Sequence, residues 1–145
     1  MPNSSDPFAE LLDTLETIDA RLSNTQPLVR AIGLVERNKV LRRITETKTD
    51  PLGNSWAPWS ERTARERSEK GNAWQGLLWD TGELLHSIKL VVDPDSFELG
   101  SDLQKAKDLQ EGLPNMAARE YLGWNEDDFL DYEALAIRYF EGGQS

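Results

Sequence analysis

Apolar residues recur at helical spacing from the start of the chain. Phe8, Leu11, Leu12, Leu15, Ile18 and Leu22 carry the period, with Glu10, Asp13, Glu16 and Asp19 between them. The pattern predicts an amphipathic helix. Asp6 suits its N-cap and Pro7 its first position, where the missing N–H is no loss. The stretch Ser23-Asn24-Thr25-Gln26-Pro27 breaks it. A second helix is predicted over about residues 26–47, with Leu28, Ile32, Val35 and Ile44 on one side. Its polar side is basic: Arg30, Arg37, Lys39, Arg42 and Arg43. Two antiparallel helices across so short a break make residues 1–47 a helical hairpin.

The period then stops. Residues 48–59 read as an ordered loop, because Pro51 and Gly53 suit a tight turn and Trp56 and Trp59 are too large to leave in water. A short charged helix is expected from Ser60 to about Gly71-Asn72, followed by a mobile stretch over 71–76. Trp79-Asp80-Thr81-Gly82-Glu83-Leu84 reads as a helix start, with Asp80 as N-cap, Glu83 completing a capping box, and Trp79 and Leu84 as a hydrophobic staple. Alternation then replaces the helical period. Ser87–Val92 and Ser96–Gly100 read as two strands joined by a turn at Asp93-Pro94-Asp95. A helical piece near 102–111 ends at Gly112 and Pro114. A last helix, over 126–143, has Asn125 as N-cap, Trp124 and Phe129 at staple positions, and acids in its first turn, where the helix dipole favours them. The fold class expected is α+β, with the N-terminal helical hairpin and the C-terminal helix packed on a small antiparallel β-sheet.

At 145 residues, 38% hydrophobic and 29% charged, the chain reads as one domain with a sizeable core. No apolar run approaches the ~20 residues that span a bilayer, and the first residues lack the pattern of a signal peptide. The absence of cysteine excludes thiolate chemistry and disulfides, and a single histidine argues against most zinc sites. The net charge of −10 is unevenly spread. Residues 1–29 hold 5 acids and 1 base, residues 30–70 hold 6 acids and 10 bases, and residues 93–145 hold 13 acids and 4 bases. A basic middle between acidic ends suits charge complementarity, within the chain or between copies.

Little points to catalysis. His86 is the only imidazole, and its neighbour Ser87 does not share its face. The acidic run Asn125–Asp128, with Asp131 and Glu133, lacks the glycine and ligand spacing of a calcium loop, and no glycine-rich phosphate loop is present. No catalytic residue, metal ligand, cofactor or small-molecule substrate is therefore expected. The overall charge has the wrong sign for nucleic-acid binding.

Three stretches, taken in order, resemble the phage virion-morphogenesis, or tail-completion, family of Mu-like and related tailed bacteriophages. The first runs from Asp50 to Ser60 and matches Asp-Pro-x-Gly-x-x-Trp-x-Pro-hydrophobic-Ser, with Trp59 at the hydrophobic place. The second is Gly82, Leu84, Ser87 and Ile88, entering the first strand. The third keeps Ala118, Arg119, Leu122 and Gly123 of a Pro-Ala-Arg-Pro-Phe-Leu-Gly motif, with Tyr121 for Phe. Between them, the usual Tyr-Ala-x-x-His-Gln-x-Gly stands as Lys105–Gly112, without the Tyr and the His.

The resemblance implies a structural protein of the head–tail junction, part of a ring, hexameric or a multiple of that, which finishes the tail end and allows heads and tails to join. Its partners would be its own copies and other neck and tail proteins. DNA would pass nearby without specific binding, repelled by carboxylates, and the protein would reside in the virion after assembly in the host cytoplasm. The residues expected to carry interfaces are Arg37, Arg42, Arg43, Trp56, Trp59, Arg119, Tyr132, Tyr139 and Phe140. The alternative is a stand-alone adaptor that docks through its C-terminal aromatic helix.

Overall fold

The side chain of Asp6 accepts hydrogen bonds from the N–H groups of Phe8 and Ala9, and so caps α1 (Pro7–Ser23). The computed structural model describes residues 6–71 and 82–142. After the break at Asn24-Thr25 comes α2 (Gln26–Arg42), which runs into one π-helical turn over Arg43–Thr47. It stops at Lys48, whose backbone is left-handed with φ 56°. A charged helix, α3 (Glu61–Lys70), and a short one, α4 (Glu83–Ser87), precede the β-hairpin. The chain ends with α5 (Gln104–Glu111) and α6 (Glu126–Phe140).

The hairpin is where alternation predicted it. β1 (Lys89–Val92) pairs antiparallel with β2 (Phe97–Gly100), in a register that sets Lys89 against Gly100 and Val92 against Phe97. The N–H of Asp93 closes the turn on the carbonyl of Ser96 at 2.8 Å. The pair lies on α2, so closely that a Cβ on Gly33 would stand 2.9 Å from Leu90 Cδ1. Below it, Val40, Ile44, Trp56, Leu84, Ile88, Ala106 and Tyr121 form one buried cluster. The architecture is thus α+β, with helices around a two-stranded antiparallel sheet.

Four local expectations change. α1 is not principally packed on α2; its main contacts are with α6. The reason is steric: α2 already carries the hairpin and α6, while the Tyr139 hydroxyl of α6 donates to the carbonyl of Asn24 at the end of α1. Second, Arg43 is buried rather than outward on a polar face. Third, Trp124 and Phe129, expected as a staple, each make a T-shaped contact with Tyr132 instead, with ring centroids 6.5 and 5.8 Å away. Fourth, α4 begins at Glu83 after Gly82, not two residues further back. Trp79, Asp80 and Thr81 of that expected cap, and the 72–76 part of the expected mobile stretch, lie outside the described residues.

Candidate functional site

Buried carbonyl groups need donors, and three separate stretches of this chain supply them to one another. Arg119 donates from Nε to the carbonyl of Ala57 and from Nη2 to that of Pro58, both at 2.9 Å. Trp56 Nε1 returns a bond of 2.8 Å to the carbonyl of Glu120. Arg43 Nη1 reaches the carbonyls of Tyr121 (2.9 Å) and Gly123 (3.3 Å). From α5, Gln110 Oε1 accepts from the N–H groups of Tyr121 and Leu122 while its Nε2 donates to the Leu122 carbonyl, each at 3.0 Å. The Tyr121 hydroxyl donates to the carbonyl of Ala106 at 2.8 Å.

The first loop is rigid in its own right. The carboxylate of Asp50 accepts from the N–H groups of Leu52 and Asn54 and from Asn54 Nδ2. Burial raises the Asp50 pKa, but these bonds outweigh it and hold the carboxyl below the usual range. Asn125 Nδ2 ties the loop to the start of α6 through the carbonyl of Pro51, at 3.0 Å. Gly123 lies against Pro51 with φ 139°; a Cβ there would sit 2.9 Å from Pro51 Cγ. The result is a latch joining residues 43–58, 106–112 and 119–125. Burial lowers the pKa values of Arg43 and Arg119 and pushes the Tyr121 phenol up to about 12.

A second polar centre ties α2 to α6. Lys39 Nζ lies 2.5 Å from Asp128 Oδ1 and 3.0 Å from Asp131 Oδ2. Asp128 Oδ2 accepts from the N–H of Asn125 while Asn125 Oδ1 accepts from that of Asp128, a complete capping box. Burial opposes the ionised form of Asp128, but the bonds from Lys39 and Asn125 prevail and its pKa falls. Glu36, 2% exposed, accepts from the Tyr132 hydroxyl. Its pKa is raised, first by burial and then by the charge of Asp128.

The expected interface residues therefore separate into two groups. Arg43, Trp56 and Arg119 are buried and hold loops. Tyr132 and Tyr139 have their hydroxyls on Glu36 and Asn24, and Tyr139 stacks under Arg21 (4.8 Å) and against Phe140 (5.4 Å). Arg42 is outward and paired with Glu46 at 3.1 Å. Arg37 lines an open groove beside β1, and Trp59 lines another, of about 710 Å³, between the 57–63 segment and the 113–119 turn. The titratable lining of the larger groove is Lys105, Asp108 and Arg119, the last held by two carbonyls. His86 sits exposed on α4, and no cluster of potential metal ligands is found among the described residues.

A profile of the phage virion morphogenesis family matches residues 6–141. The chain belongs to that family. No curated protein and no solved structure matches it. Membership makes it a structural, virion-associated protein of bacteriophage assembly. Of Lys105–Gly112, the retained positions are Ala106, Gln110 and Gly112: Ala106 and Gln110 bond Tyr121 and Leu122, and Gly112 ends α5. The replaced positions, Lys105 and Leu109, instead line the larger groove. Sequence reasoning missed Glu36, Lys39 and Gln110 as structural centres. Gln110 was findable, as the one polar side chain the segment keeps. Among the described residues no helix is long and apolar enough to cross a membrane.

Proposed function

We propose that this protein is a subunit of a ring at the phage head–tail junction, finishing the tail end so that heads and tails join. The observation that carries this reading is the division of the molecule. Its interior polar groups fix two loops, while one whole helix, α1, has no buried residue and presents Phe8, Leu11, Leu12, Leu15 and Leu22 to solvent. A contiguous apolar stripe of that kind marks an interaction site. Its partners are other copies and neighbouring neck or tail proteins. DNA passes the ring without specific contact, since the net charge of −10 opposes phosphate binding.

The alternative, a monomeric adaptor docking through α6, has Phe129, Leu130 and Ile137 exposed in its favour. It is the weaker reading, because the Tyr132 and Tyr139 hydroxyls already have partners inside the chain. A phage lacking the gene decides between them. Filled heads and unjoined tails should accumulate, and joined particles should return when the protein is supplied in trans. Normal joining without the protein would overturn the neck reading.

A further inference from the structure

The face that α1 leaves open has a counterpart elsewhere on the same chain. Between α2 and β1 runs a groove of about 470 Å³, with Leu34, Leu90 and Val92 in its lining and Arg30, Arg37 and Lys89 beside them. Leu34 is 46% exposed. Arg30 and Arg37 have no ion pair among the described residues, and Lys89 is bound to the exposed Asp102 at 3.1 Å. The groove is thus apolar with a positive border. α1 is the opposite: apolar at Phe8, Leu11, Leu12, Leu15 and Leu22, with Glu16 one turn after Leu12 and Asp19 one turn after Leu15. Within residues 1–29 there are 5 acids against 1 base.

We infer that α1 of one copy seats in the α2–β1 groove of the next, apolar stripe on apolar floor and carboxylates on arginines, as an amphipathic helix lies in a groove. The inference rests on the ring reading and names the surface that builds the ring. The chain cannot fill its own groove while α1 stays on α6, held there by the Tyr139–Asn24 hydrogen bond and by Arg21 over the Tyr139 ring. Two different faces meeting head to tail make a heterologous contact, which closes into a ring when the rotation between copies closes. The charged rim sets register and speeds encounter, and the apolar floor supplies most of the affinity.

The cysteine-free chain permits a clean test. Leu34→Cys is mixed, in turn, with Leu11→Cys, Leu15→Cys or Leu22→Cys, full-length, under mild oxidation, while light scattering reports mass. These three positions are spaced along α1 so that one lies near Leu34 in any register. Because each chain carries a single thiol, any mixed disulfide lies between copies. An oligomer, together with a mixed disulfide formed well above the level of either variant alone, is the result expected. An oligomer without it overturns the α1–groove contact and leaves the ring to another surface. A strict monomer without it, at every concentration and salt tested, overturns both this contact and self-assembly of the ring. Leu15→Asp gives an independent reading: self-association should weaken about tenfold or more, with unfolding unchanged. Unchanged self-association would sink the proposal.

Discussion

The latch and α1 use opposite surfaces for opposite ends. The latch buries the charged groups of Arg43 and Arg119, half-buries the amide of Gln110, and gives each a carbonyl or amide partner. α1 exposes large apolar side chains and buries none. Buried directional bonds are poor at driving association but good at fixing one geometry, because leaving any of them unmade is costly. Exposed apolar area is the reverse, a strong and undirected attraction. The difference teaches where to look for assembly in this chain. The motif residues define its shape, and the less conspicuous first helix offers the contact.

The sharpest way to break that comparison is inside the latch. Tyr121 is 1% exposed and, among the described residues, the largest fully buried side chain. Tyr121→Ala should cost about 4 kcal/mol in denaturant unfolding, from the cavity plus the lost bond to Ala106. A cost under about 1 kcal/mol would show that the latch is not part of the core. Arg119→Met should lose about 2–3 kcal/mol by the same measurement, since two carbonyls lose a charged donor. Gly123→Ala adds a methyl where φ is 139° and Pro51 stands close, and should cost about 2 kcal/mol.

Glu36 sharpens the comparison through pH. Its folded pKa is raised, so its contribution is fully present below the unfolded value and is lost as pH rises through the folded one. Asp128 has the opposite sign: its contribution is present above the unfolded value and is lost as pH falls through the depressed one. Glu36→Gln keeps an acceptor for Tyr132 and removes the first slope. Thermal melts across acidic to neutral pH should show the variant gaining on the parent as pH rises. A constant difference would mean that Glu36 does not titrate in this range. The smallest effect belongs to α1, where Leu15→Asn should leave unfolding within about 0.5 kcal/mol. A larger loss would mean that the Leu15 face of α1, and not only the side that leans on α6, is packed within its own chain.

Local chemistry was legible in the sequence and long-range placement was not. Asp6 with Pro7, and Asn125, cap helices through atoms within a few residues, so spacing alone identifies them. The hairpin was equally clear, because strand alternation and turn lie side by side. Arg43 read as outward because it follows Lys39 and Arg42 on a basic helix. Only the distant carbonyls of Tyr121 and Gly123 give it a reason to be buried. Likewise, nothing in the period of α1 says that it leans on α6 rather than α2. For the candidate site, the Asp50–Ser60 and Ala118–Gly123 blocks were visible as motifs, whereas their attachment to each other through Arg119, Trp56 and Gln110 was not.

Asp128 has a mechanical consequence. One of its oxygens closes the first turn of α6 and the other receives Lys39 from α2, so the helix cannot start without also being docked. At the far end, Tyr139 carries α1. Helix α6 therefore acts as a rigid strut between the body and the first helix. Its amides should exchange with solvent in a single opening event, and the orientation of α1 is set eleven residues away from the side chain it rests on, at Asp128 rather than at Tyr139.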